Sequence, residues 1–206
     1  MSSEVKANKL SPASGTDVTL GDASDTFTIP ASATLDVNGT IDVTGATVTG
    51  LSAGKVLQVV NSFYTSASST TNDKNDPFVA TGLTATITPA STSNEILILI
   101  TASMANSTSN PNHLNLMRDS TAISQGTTGT GSQQNNSFNH PSQQNSSPLT
   151  YSYSFLDSPS TTSATAYSLY WHVSAGTGYM NTAGDGTDAS YVHRSPSSIT
   201  LLEIEG

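Results

Sequence analysis

A six-residue repeat constrains this chain more than any other feature. Leu35-Asp36-Val37-Asn38-Gly39-Thr40 is followed by Ile41-Asp42-Val43-Thr44-Gly45-Ala46 and by a degraded copy from Thr47, with apolar residues first and third and glycine fifth. Each copy is one short strand and a turn, and its narrow apolar stripe finds no cover within the copy itself. Short β repeats of this kind mark solenoids and fibrous β-structures, which need about three or more repeats to be stable. Two and a half hexads fall short of that in a single chain. The missing surface is expected from other copies: three identical subunits wound about a common axis, burying Leu35, Val37, Ile41, Val43 and Val48 as the core of a trimeric stem.

Composition agrees with β-structure and removes several alternatives. Large aliphatic and Phe residues number only 40 of 206, an amount at which a highly charged chain would be disordered. Only 10% of residues are charged, however, and the polar mass is hydroxyl, with 34 Ser and 31 Thr. A charge-driven disordered tail and a Lys/Glu-rich helical protein are both unlike this composition. Six Lys and Arg against 15 Asp and Glu, a net charge of −9, leave no basic footprint for phosphates, so neither nucleic acid nor an anionic membrane surface is an expected partner. The opening residues carry Glu4, Lys6 and Lys9 where a secretory signal needs an unbroken apolar run, and the longest such run is Ile96 to Ile100. Membrane insertion is therefore not expected. Without cysteine there are no disulfides or thiolate metal sites.

Before the repeat, Thr16 to Leu20 and Thr26 to Ile29 alternate as short strands around a Gly21-Asp22 turn. After a hinge at Leu51 to Gly54 the pattern changes. Strands are expected at Val56 to Thr65, Phe78 to Thr88, Glu95 to Met104, Leu114 to Arg118, Thr150 to Leu156, Ala166 to Val173, Ala189 to His193 and Ser198 to Ile204, with no convincing helix. Tyr151, Tyr153 and Phe155 share one face, as do Tyr167, Leu169, Trp171 and Val173. His172 falls on the opposite face with Ser168 and Tyr170, a face expected to meet solvent or another subunit. Ile96 to Ile100 is apolar on both faces, as in a central strand covered on both sides or lying at a subunit contact. Eight such strands fit an antiparallel jelly roll or a related sandwich. The chain then divides into an N-terminal segment (1–30), a stem (31–53) and a β-sandwich (54–206). Two stretches read as loops: Ser66 to Asp76, and the long Gln125 to Ser147, whose length marks it as functional or disordered.

Catalytic and metal patterns are weak. No Gly-x-Ser-x-Gly, P-loop or dinucleotide turn is present. Asp157, Asp185 and Asp188 sit in turn sequences rather than as a paired acid. His113, His140, His172 and His193 lack ligand spacing, and Asp73 to Asp76 lacks the closing Glu of a calcium loop. No catalytic residue, metal or cofactor is expected, and the protein is not expected to be an enzyme. Aromatic faces beside Asn, Gln, Ser and Thr suit neutral or polyhydroxylated ligands, and the candidate contacts are Tyr64, Phe138, His140, Tyr179 and Tyr191.

Seven dispersed stretches carry a family resemblance. Glu4 to Pro12 with Gly15 to Asp22 and Thr26 to Pro30 resembles the N-terminal segment of fibre proteins of tailed bacteriophages, particularly marine and cyanobacterial ones. Ala33 to Gly50 is similar to their β shaft, and Gly54 to Val60, Phe155 to Ala164 and Ser197 to Ile204 are similar to strings in their head domains. The resemblance implies a homotrimeric virion fibre assembled in the host cytoplasm. Residues 1–30 would be the virion anchor, attached to a tail or capsid component, and residues 54–206 the head, binding a host surface glycan or receptor during adsorption. A purely structural capsid or tail decoration protein is the alternative, and a tailspike-like glycan depolymerase a more distant one.

Overall fold

The computed structural model describes residues 15, 26, 28–29, 32–39, 55–127, 130–131, 133–141, 148–184 and 193–206. The chain divides into two compact units, Met1–Val48 and Thr49–Gly206.

In the first unit, residues 32–39 form no strand; Leu35 is 61% exposed and Val37 40%. Thr26, Thr28 and Ile29, read from the sequence as part of a strand, take none either. Among the described residues no ladder pairs with these segments, and a strand exists only where a ladder satisfies its main-chain groups. Ile41, Val43 and Val48 lie outside the described residues, as does Thr16 to Leu20.

The second unit is all-β, and no helix occurs among the described residues. In chain order its strands are β1 (Val56–Tyr64), β2 (Ser68–Thr70), β3 (Val79–Ile87), β4 (Glu95–Asn106), β5 (Asn112–Arg118) and β6 (Thr121–Ile123). They continue as β7 (Phe138–His140), β8 (Leu149–Asp157), β9 (Thr165–Val173), β10 (Gly178–Met180) and β11 (Ser197–Ile204). All pairings are antiparallel and form two sheets. In the first, β4 is central, with β8 on one edge and β11 followed by β10 along the other; β1 and β2 lie outside β11 and β10. In the second, β3, β9 and β5 run side by side, and β6 and β7 share the remaining edge of β5.

Seven of the eight expected strands are present. The eighth, Ala189 to His193, lies outside the described residues except for His193, which is not in a strand. The four three-residue strands β2, β6, β7 and β10 were not expected, because alternation has no meaning over three residues. Two of them occupy the segments read as loops: β2 within Ser66 to Asp76, and β7 within Gln125 to Ser147.

Strict alternation builds the core. Ile96, Ile98 and Ile100 of β4 and Ile199 and Leu201 of β11 point inward from the first sheet, and Leu114, Leu116, Tyr167, Leu169 and Trp171 meet them from the second; all are at most 1% exposed. Full burial of one such side chain is worth roughly 1.5–3 kcal/mol, so this layer is what holds the sheets together. The two open edges are closed differently. On one, the Tyr64 ring of β1 lies over Gly82 of β3, where φ is +97° and the ladder is irregular. On the other, Phe138 of β7 stacks on Tyr153 of β8, with ring centroids 4.4 Å apart, and the Tyr153 hydroxyl hydrogen-bonds Ser124. Among the described residues no helix is long and apolar enough to cross a membrane.

Candidate functional site

Three loops meet at one end of the second sheet and frame a polar cleft of about 480 Å³. Its floor follows from the β5 alternation: Leu114 and Leu116 point into the core, so His113 must point outward. His113 is paired across the ladders with His172 of β9 on one side and Asn139 of β7 on the other. Both of its ring nitrogens are engaged: Nδ1 lies 2.6 Å from Asn139 Oδ1 and Nε2 lies 2.6 Å from Ser174 Oγ. Asn136 Nδ2 donates to the Phe138 carbonyl at 2.8 Å and to Asn139 Oδ1. Lys74 and the amides of Gln133 and Gln134 line the rest.

The loops are held by their own polar groups. Asp73 Oδ1 accepts from Asn75 N at 2.7 Å and Asp76 Oδ2 from Asp73 N at 3.1 Å, so both carboxylates cap the turn that carries Lys74. Ser107 N donates to the Thr177 carbonyl and Thr177 N to Ser107 Oγ, both at 2.8 Å, which zips the loop after β4 to the loop that carries Ser174. Beneath them, buried Asn106 donates to Asn112 Oδ1 at 3.1 Å, and Asn112 donates to the Ala105 carbonyl at the same distance.

Beside the cleft, His172 departs from its expected place. It is 1% exposed rather than open to solvent, because Phe78, just before β3, stacks on it with centroids 4.0 Å apart and His113 meets it edge-on at 5.0 Å. Among the described residues neither ring nitrogen has a hydrogen-bond partner. Burial pushes its pKa below the ordinary value and the charge His113 can carry adds to this; the nearby main chain of Asp76 and Asp73 opposes the shift without reaching hydrogen-bond geometry.

The sequence-derived candidates do not gather at one place. Tyr64 closes the β1–β3 edge, and Phe138 closes the opposite edge against Tyr153. His140 is fully buried beside Tyr151, its Nε2 2.8 Å from the Leu149 carbonyl, and burial lowers its pKa while that carbonyl works against the shift. Tyr179 is half-buried on β10, paired with Ala105 and Ser69. Tyr191 lies outside the described residues. Reading for aromatic platforms passed over Lys74, Asn136, Asn139 and Ser174; the one available signal was the outward register of His113 on β5. Among the described residues no three His, Asp or Glu side chains gather into a metal-binding group.

The cleft therefore offers an array of amide, hydroxyl and imidazole groups beside the Lys74 ammonium, suited to hydrogen-bonding a polyhydroxylated ligand. Compared with known proteins, the chain matches no family model and no curated protein.

Proposed function

We propose that the chain is a homotrimeric virion fibre protein whose N-terminal segment attaches it to the particle and whose head binds a host surface glycan in the cleft around His113. The observation that carries the binding role is the cleft itself: its His113, Asn136, Asn139 and Ser174 side chains are held by hydrogen bonds to one another, so little ordering cost remains for them when a ligand enters. The strand order supports a jelly-roll head. If β1 with β2, β6 with β7 and β10 with β11 each count as one strand, the sheets run 1-8-3-6 and 2-7-4-5, the arrangement of an eight-stranded double Greek key. Three copies on one stem would turn weak sites into avid ones. Binding of the purified full chain to a panel of immobilised polysaccharides tests the reading. Retention that is lost in Asn136→Ala/Asn139→Ala supports it, and absence of retention on any glycan together with unimpaired particle adsorption in its presence sinks it.

A second reading rests on one observation. Ser174 Oγ, His113 and Asn139 are linked in the order of a nucleophile, its base and an orienting group. A hydrolase reading would have Ser174 attack an ester of the bound glycan. Turnover of an acetyl ester by the full chain, abolished by Ser174→Ala, would favour it over simple binding.

A further inference from the structure

Strand β4 is apolar on both faces, and the sandwich uses only one. On the other, cross-strand partners form a single apolar row over all four long strands of the first sheet: Val59 opposite Leu202, Leu202 opposite Leu97, Leu97 opposite Leu156. Val59 is 57% exposed, and Leu99, one step further along β4, is 41% exposed beside a shallow groove of about 310 Å³ between β4 and β8. The outward positions of these four strands include one charge, Glu95, held at a corner by the Ser158 hydroxyl at 3.1 Å. The other sheet turns Thr84, Thr86 and Ser168 outward instead.

We propose that this face is where the head of a second copy of the chain docks. Two arguments select a second copy. The protein carries a net charge of −9, so copies approaching by most surfaces repel, and a nearly uncharged face is where they can meet. Its size also fits: four strands about 4.8 Å apart and nine residues of about 3.3 Å make a face of roughly 19 by 30 Å, on the order of 570 Å² in projection, comparable with the ~800 Å² each partner gives to a standard interface. The inference rests on the oligomeric part of the proposed function and gives it a contact outside the stem.

The absence of cysteine from the chain provides the test. Leu97→Cys and Val59→Cys place thiols on the face in the full chain, and Thr84→Cys places one on the other sheet as a control. Light scattering gives the oligomeric state, and mild oxidation or a short bis-maleimide reports which surfaces touch. The inference expects covalent dimers from the first two variants and none from Thr84→Cys, and loss of those dimers when Leu202→Lys is added, with the circular dichroism spectrum unchanged. An oligomer in which neither face variant cross-links overturns this inference and leaves a stem-held trimer standing. A monomer at every concentration overturns both. Thiols shielded from small maleimides in a protein that forms no cross-link show the face covered by residues 1–54 of the same chain, which also overturns it.

Discussion

The hydroxyl of Tyr167 donates to Asp157 Oδ2 at 2.6 Å, tying a central strand of the second sheet to the end of an edge strand of the first. Asp157 also accepts from Arg118 Nη1 at 3.0 Å through both oxygens, so the carboxylate is satisfied although it is nearly buried. Removing the phenolic hydroxyl leaves the ion pair but takes away one bond to a charged acceptor, a change worth about 1.5–3 kcal/mol. Tyr167→Phe is expected to lose that much in urea unfolding while retaining the fold. Burial, then the hydrogen bond to Asp157 and its charge, push the Tyr167 pKa far above its ordinary value near 10. A raised folded pKa means that this stability is complete below pH 10 and declines as pH rises beyond it. The wild type should show that alkaline loss, and the Phe variant should lack it; parallel curves above pH 10 would refute the assignment.

Glu203 makes the complementary prediction at low pH. It is fully buried on β11 and accepts from Gln58 Nε2, Asn94 Nδ2 and Ala90 N, each at 2.6 Å. Burial alone would raise its carboxyl pKa, but the three donors, Asn94 first, outweigh burial and hold it below the ordinary value. With the folded pKa depressed, the stability is present above about pH 4.5 and is lost as pH falls through the folded value. Glu203→Gln turns an amide donor toward groups that already donate, at a cost of about 1–3 kcal/mol. Urea midpoints measured from pH 7 down to pH 3 should converge between wild type and variant. A constant gap across that range would mean that the charge of the Glu203 carboxylate adds nothing to these three hydrogen bonds.

The long strands were legible in the sequence because most alternate, as Tyr167, Leu169, Trp171 and Val173 do, and because the unbroken apolar run Ile96 to Ile100 is the length of a central strand. The cleft was not legible, because it depends on register: His113 meets Asn139 and Ser174 only after β5 pairs with β7 and the β9 end folds over. His172 shows the limit of face assignment. Its outward position on β9 was read correctly, but what covers it is Phe78, some ninety residues earlier, delivered by a turn whose acids cap themselves. Aromatic residues such as Phe138 and Tyr64 read as ligand platforms because a sandwich edge closed by a ring has the same local sequence as an exposed one.

Gly82 holds a backbone conformation and a close contact that both disfavour a side chain. Its φ of +97° strains any L residue, and a Cβ there would lie 2.7 Å from Tyr64 Cε2. Backbone strain of this kind costs about 1–3 kcal/mol, before the ring is displaced. Gly82→Ala should therefore lower stability by at least about 1 kcal/mol in chemical denaturation. Pairing it with Tyr64→Ser removes the collision but not the strain, so the double variant is expected to remain below Tyr64→Ser alone. Equal stabilities for those two proteins would show that the positive φ is not required by the bulge.

His172 separates a packing role from a binding role. Both of its ring nitrogens are buried with no partner among the described residues, and an unpartnered buried polar group costs about 1–3 kcal/mol. An apolar ring in the same stack on Phe78 avoids that cost, so His172→Phe should be neutral or stabilising by about 1 kcal/mol. The pH dependence has a definite sign. The folded pKa is depressed, chiefly by burial, so full stability holds above the ordinary value near 6.5 and declines as pH falls below it, where the unfolded chain takes up the proton first. His172→Phe should flatten part of that slope, leaving the share from His140, whose pKa is lowered for the same reason. Thermal melts at pH 7.5 and pH 5.5 read both effects. If His172→Phe instead destabilises the protein at pH 7.5 by more than about 1 kcal/mol, the imidazole nitrogens have partners in solution, and the wall of the cleft beside His113 is polar.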